Sequence, residues 1–201
     1  MPEPIAFYFD FSSPYGYLAT FKVDEIAARH GRTVDWRPFL LGIVMQQTGM
    51  TPLVTQPIRG PYFRHDLERL ARDYRAPFVW PENFPFHSVA ASRAFYWLMD
   101  HDRELAVRFA RTIYHAYWGE GRDVTKPRQV ADEASDKLGV AADELLAALA
   151  DDSVKARLKD EVDKTMARGV FGSPMFDIDG ELFWGCDKFA EIDRWLATGG
   201  W

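Results

Sequence analysis

Ile5 to Phe9 is a short apolar run of strand-forming residues, and it passes into a segment whose apolar positions, Leu18, Phe21, Val23 and Ile26, fall at helical spacing until His30-Gly31. Pro14 suits the first turn of that helix, where a missing N–H leaves nothing unpaired. Thr33 to Arg37 reads as a second strand stopped by Pro38. Strand, helix and strand in this order predict a βαβ unit.

From Phe39 to Gly169 the pattern becomes helical segments punctuated by Pro and Gly, with no run of alternating strand residues. Arg64 to Tyr74, Ser88 to Met99 and Glu104 to Trp118 have helix lengths, and Thr125 is a candidate N-cap for a segment ending at Gly139. Ser153 is a candidate cap for a helix in which Val154, Leu158, Val162 and Met166 recur every fourth residue. After Gly169 the period returns toward two. Pro174 to Ile178 and Glu181 to Trp184 flank Asp179-Gly180, a strong hairpin signal, and Asp187 to Leu196 follows as an amphipathic helix. The order βαβ, many helices, ββα predicts an α/β fold with a thioredoxin-like core. Residues 1–38 and 170–201 would form that core, and 39–169 an inserted helical domain.

Composition narrows the function. At 201 residues the chain can bury a full core without staples, and one cysteine, Cys186, excludes an intrachain disulfide. With no basic segment ahead of a long apolar run, cytoplasmic residence is the expectation. A formal net charge of −6 with interspersed signs argues against a nucleic-acid surface. No apolar stretch approaches the roughly 20 residues of a membrane span. The five histidines, His30, His65, His87, His101 and His115, show no metal-ligand spacing, so no metal is expected. Asp100-His101-Asp102 reads as a solvated helix junction.

Candidate chemistry gathers at the first strand-to-helix turn. Thioredoxin-type sites carry Cys-x-x-Cys at such a junction, where the helix N-terminus favours a thiolate; here the four positions are Ser13-Pro14-Tyr15-Gly16. Disulfide oxidoreductase chemistry is therefore not expected. By cap statistics alone, Ser13 is a helix N-cap. Ser173-Pro174 reads as the start of a strand, Asp187 as a first-turn acid, Arg59 as a solvated surface residue, and Arg37 as half of an internal salt bridge. Tyr114, Tyr117 and Trp118 at helical spacing read as core.

The segments Phe9-Asp10-Phe11-Ser12-Ser13-Pro14-Tyr15, Arg37-Pro38, Ala116 to Asp123, Gly172-Ser173-Pro174 and Phe183-Trp184-Gly185-Cys186-Asp187 have the order and spacing of 2-hydroxychromene-2-carboxylate isomerases. The chain resembles that family nearly end to end. These isomerases belong with the kappa-class glutathione transferases among DsbA-like thioredoxin folds.

The resemblance implies glutathione as cofactor and Ser13 as the catalytic serine whose hydroxyl faces its sulfur. It implies a cis bond at Ser173-Pro174, with Ser173 meeting the cysteinyl backbone of glutathione. Gly185-Cys186-Asp187 would receive the γ-glutamyl zwitterion, with Cys186 contributing backbone and Asp187 its carboxylate. Arg59 would lie near the glycyl carboxylate. Met50 stands where relatives tend to have asparagine. Arg37, Tyr15 and Trp118 would meet a small aromatic organic-acid substrate. The implied activity is isomerisation of an aromatic α-keto acid by reversible sulfur addition, bond rotation and elimination, in a homodimer. A kappa-like transferase or peroxidase, and a non-catalytic binding module, are the alternatives.

Overall fold

The computed structural model describes residues 2–201. β1 (Ile5–Phe9) leads through the Ser13 turn to α1 (Pro14–Ala19) and α2 (Val23–Arg29), and β2 (Val34–Pro38) returns parallel to β1. The single helix expected up to His30 is thus two. Around Thr20 the amide bonds shorten to the carbonyls three residues back, Thr20 N to Tyr17, Phe21 N to Leu18 and Lys22 N to Ala19, and the Thr20 hydroxyl also donates to the Tyr17 carbonyl. That tightened turn ends α1 and redirects the chain.

Seven helices follow without an intervening strand: α3 (Leu41–Thr48), α4 (Arg59–Asp73), α5 (Val89–Met99), α6 (Arg103–Tyr114), α7 (Pro127–Leu138), α8 (Ala142–Ala150) and α9 (Asp152–Ala167). Asp102 caps α6 by accepting from Leu105 N, so Asp100-His101-Asp102 is a helix junction. After Tyr114 the helix widens into one π turn, His115–Gly119, which carries Tyr117 and Trp118 inward. Two expected caps are displaced. Pro127, which lacks an N–H, begins α7 after Lys126, while Thr125 N is held by the Asp123 carboxylate. Asp151, not Ser153, caps α9, accepting from Ser153 N at 2.7 Å.

β3 (Met175–Ile178) and β4 (Glu181–Trp184) form the expected hairpin, with positive φ at both Asp179 and Gly180. A short 3-10 turn, Cys186–Lys188, runs into α10 (Phe189–Thr198). The sheet order is β2-β1-β3-β4, with β3 antiparallel to both neighbours. This is the thioredoxin-like α/β core that the sequence pattern predicts. Among the described residues, no helix is long and apolar enough to cross a membrane.

Phe7, Phe9 and Phe176 line one sheet face, and Phe9 and Phe11 continue into contact with Phe95, Phe109 and Tyr114 of the helices. Burying several aromatic rings, each worth a few kcal/mol of apolar transfer, locks the helices over the C-terminal end of β1. The Ser13 turn leaves the sheet at that end.

Candidate active site

Ser13 caps α1. Its backbone is extended, φ −92° and ψ 114°, and its Oγ accepts from Gly16 N at 3.1 Å, satisfying one of the unpaired N–H groups of the first turn. The same hydroxyl donates to the Ser173 carbonyl at 2.8 Å. Ser173-Pro174 is a cis peptide, and the Ser173 Oγ accepts from Asp10 N at 2.9 Å. Two turns far apart in sequence are therefore stitched together at the end of the sheet.

Asp10 is the residue that sequence reasoning passed over. Its carboxylate accepts from Ser12 N at 2.7 Å and Leu41 N at 2.6 Å, and its carbonyl accepts from Ser13 N and from the Tyr114 hydroxyl. Nearly complete burial pushes the carboxyl up from the usual carboxylate range. An acid at the end of an apolar strand, just before a turn, was the available signal: it pairs with backbone two residues on.

α1 packs against both α4 and the Cys186–Lys188 turn. Tyr15 lays its ring edge-on to Phe63, 5.7 Å between centroids, and donates its hydroxyl to Asp66 at 2.9 Å. Burial, followed by the Asp66 carboxylate, raises the Tyr15 phenol. Tyr74, at the end of α4, donates to the Cys186 carbonyl at 2.7 Å, and Gly185 N donates to the Pro174 carbonyl at 3.1 Å. The Cys186 turn is thereby held beside the cis-proline loop. Burial pushes the Cys186 thiol up to about 12, with the Asp187 and Asp66 carboxylates adding to the effect, so this sulfur stays protonated and inert at neutral pH. Asp187 is exposed next to it, and Arg59 is exposed at the first position of α4.

The structure gathers Ser13, Ser173 and Pro174 directly, and brings Tyr15, Cys186 and Asp187 beside them through α1. Arg37 and Trp118 are placed otherwise. Arg37 Nε donates to the Asp35 carboxylate at 2.6 Å and its guanidinium lies over Tyr8, so it forms the internal salt bridge. Trp118 is fully buried, stacked on Phe78 with its Nε1 donating to the Phe11 carbonyl at 3.0 Å. The widened π turn drives the ring into the core, where it has no face left for a ligand, contrary to its expected place at the substrate. A concavity of about 400 Å³ between Arg32, Asp179 and Trp195 lies at the hairpin end and includes none of these residues. The convergence of polar groups on Ser13, not the size of a hollow, makes this turn the candidate site. Among the described residues, no cluster of His, Cys, Asp and Glu could hold a metal.

A profile of the DsbA-like thioredoxin domain matches residues 4–197. The chain belongs to the DsbA-like thioredoxin family. Within it, the chain is 29% identical over 199 residues to the 2-hydroxychromene-2-carboxylate isomerase of Sphingobium xenophagum, covering 98% of this chain and 99% of that protein. It is 26% identical over 197 residues to glutathione S-transferase kappa 1 of Caenorhabditis elegans, covering 92% and 87%. A solved 2-hydroxychromene-2-carboxylate isomerase superposes with a TM-score of 0.85 at 27% identity, covering 97% of this chain and 94% of that one. These relatives, each below 30% identity, are named as an isomerase and as a transferase.

Proposed function

We propose that this chain is a glutathione-dependent isomerase of 2-hydroxychromene-2-carboxylate or a related aromatic α-keto acid. The observation that carries the reading is the Ser13 hydroxyl, held at a helix N-cap against the Ser173 carbonyl, at a junction that has no sulfur at either Cys-x-x-Cys position.

The residues present fit a tripeptide thiol. The Ser173 peptide offers backbone pairing, the exposed Asp187 suits an ammonium group, and the exposed Arg59 suits a carboxylate. Cys186 contributes through backbone alone, because its side chain is buried. Tyr15 is retained as the aromatic wall for the substrate; Arg37 and Trp118 are not used. Glutathione, when bound, supplies a nucleophilic sulfur whose reversible addition to a conjugated double bond lets that bond rotate.

Ser13 acts on the charge of that sulfur. A free thiol has a pKa of about 8.5, and lowering it by about two units takes roughly 2.7 kcal/mol of preferential stabilisation of the anion. A hydrogen bond to a charged acceptor contributes about 1.5–3 kcal/mol and a helix N-terminus about 0.3–1 kcal/mol, enough between them. The hydroxyl proton turns from the Ser173 carbonyl to the sulfur while Gly16 N–H keeps its hold on the oxygen. One hydrogen bond is exchanged for a stronger one.

The kappa relative supports a second reading, in which the same sulfur attacks other electrophiles. Calorimetric titration with millimolar glutathione, followed by an absorbance assay on 2-hydroxychromene-2-carboxylate with total glutathione measured before and after, separates the two. Turnover with glutathione unchanged supports the isomerase; accumulation of conjugate supports the transferase; absence of binding removes both and leaves a binding module.

A further inference from the structure

Gly16 lies in the interior of α1 with ordinary helical backbone, where glycine costs about 1 kcal/mol relative to alanine. Its conformation does not call for glycine, but its surroundings do. A Cβ at Gly16 would stand 2.5 Å from the Tyr114 hydroxyl, 3.0 Å from Ser173 Oγ and 3.3 Å from Ser13 Cβ. Tyr114 has little freedom to retreat. It is fully buried, its ring packs against Phe9, Phe11 and Tyr17, and its hydroxyl donates to the Asp10 carbonyl at 2.8 Å.

Position 16 is the fourth of the Ser13-Pro14-Tyr15-Gly16 turn, where a dithiol site of the Cys-x-x-Cys kind carries its second sulfur. We propose that the Tyr114 hydroxyl takes up the room that a side chain at position 16 would need, so that a resolving thiol placed there could not work while Tyr114 keeps its hydroxyl. Any sulfur that works at Ser13 then arrives with a ligand and leaves with it, because the turn carries no sulfur of its own and position 16 has no room to gain one. This goes beyond the isomerase reading, since the space is closed whichever electrophile the site serves.

The packing relation is tested by thermal unfolding of the wild type, Gly16→Ala, Tyr114→Phe and the double variant. Gly16→Ala is expected to lower Tm at least twice as much with tyrosine at position 114 as with phenylalanine; equal losses overturn the proposal. The chemistry is tested in the Ser13→Cys/Gly16→Cys variant with glutathione disulfide as oxidant. The thiolate introduced at position 13 attacks one sulfur of glutathione disulfide, breaking its S–S bond and releasing one glutathione as a mixed disulfide forms. Resolution requires the thiolate at position 16 to attack the position-13 sulfur, breaking the mixed disulfide and releasing the second glutathione.

With Tyr114 in place the reaction is expected to stop at the mixed disulfide, read by mass spectrometry with peptide mapping to exclude Cys186. Adding Tyr114→Phe is expected to release the second glutathione and close the ring at least tenfold faster. Closure at equal rates in both backgrounds, or in neither, overturns the proposal. Neither test depends on isomerase activity, so failure of the isomerase reading leaves both interpretable.

Discussion

The Ser13 hydroxyl donates to the Ser173 carbonyl at 2.8 Å, joining residues 160 positions apart into one site. The hydroxyl is held at both ends, by Gly16 N–H on its oxygen and by this carbonyl on its proton. The oxygen is thus in place before any ligand arrives, which lowers the ordering cost of using it, while its proton has to leave this carbonyl to serve a ligand's sulfur.

Ser13→Ala is expected to lower kcat of the proposed isomerisation about tenfold at neutral pH, through loss of the hydroxyl's share, roughly 2 kcal/mol, of the anion stabilisation while the helix N-terminus stays in place. The dissociation constant for glutathione should change less than threefold, because the hydroxyl acts on sulfur and not on the peptide frame. Steady-state kinetics and calorimetry check the two halves; a wild-type kcat would remove Ser13 from the mechanism.

Asp187→Ala is expected to raise KM for glutathione about tenfold with kcat nearly unchanged, as loss of a charge-assisted contact made equally in ground and transition states requires. Initial rates across a glutathione series measure it. A fall in kcat at constant KM would place Asp187 in the chemical step instead.

Cys186, with its thiol near 12, should resist iodoacetamide at pH 8. Its thiolate fraction there is about three orders of magnitude below that of an ordinary thiol, and burial slows access further. Labelling followed by mass spectrometry should find the residue modified only after denaturant is added. Rapid labelling of the folded protein would contradict its assignment as a packing residue.

Asp10 gives stability a pH dependence of defined sign. Its folded carboxyl is raised, so as pH rises from about 4 the unfolded chain loses this proton before the folded chain does, and the folded state loses stability until its own carboxyl ionises. The Tm of the wild type minus that of Asp10→Asn should therefore fall as pH increases over this window. A difference that is flat or rises with pH would show that the buried carboxyl is ionised throughout.

The local elements were legible because their causes are local. The apolar runs around Ile5 to Phe9 and Met175 to Trp184, the Asp179-Gly180 turn and the Ser13-Pro14 helix start each depend on a few neighbouring residues. Errors arose where neighbouring groups compete over single hydrogen bonds. Thr20 turned one expected helix into two, and Asp151 took the capping role from Ser153. Trp118 lies in the core, as its helical spacing reads, and not at a substrate, as the family resemblance implies; the π turn is what carries the ring inward.

By itself the sequence determined the order of strands and helices, the missing cysteines at the first turn, and the candidates Ser13, Ser173 and Asp187. Only the tertiary structure decided which of these meet. It closed the Ser13–Ser173 bond, buried Asp10 among backbone amides, gave Arg37 to Asp35, and set the Tyr114 hydroxyl against Gly16. The physical reason is range: propensity and turn chemistry act over a few residues, whereas each of these contacts depends on side chains placed by the packing of separate elements around one core.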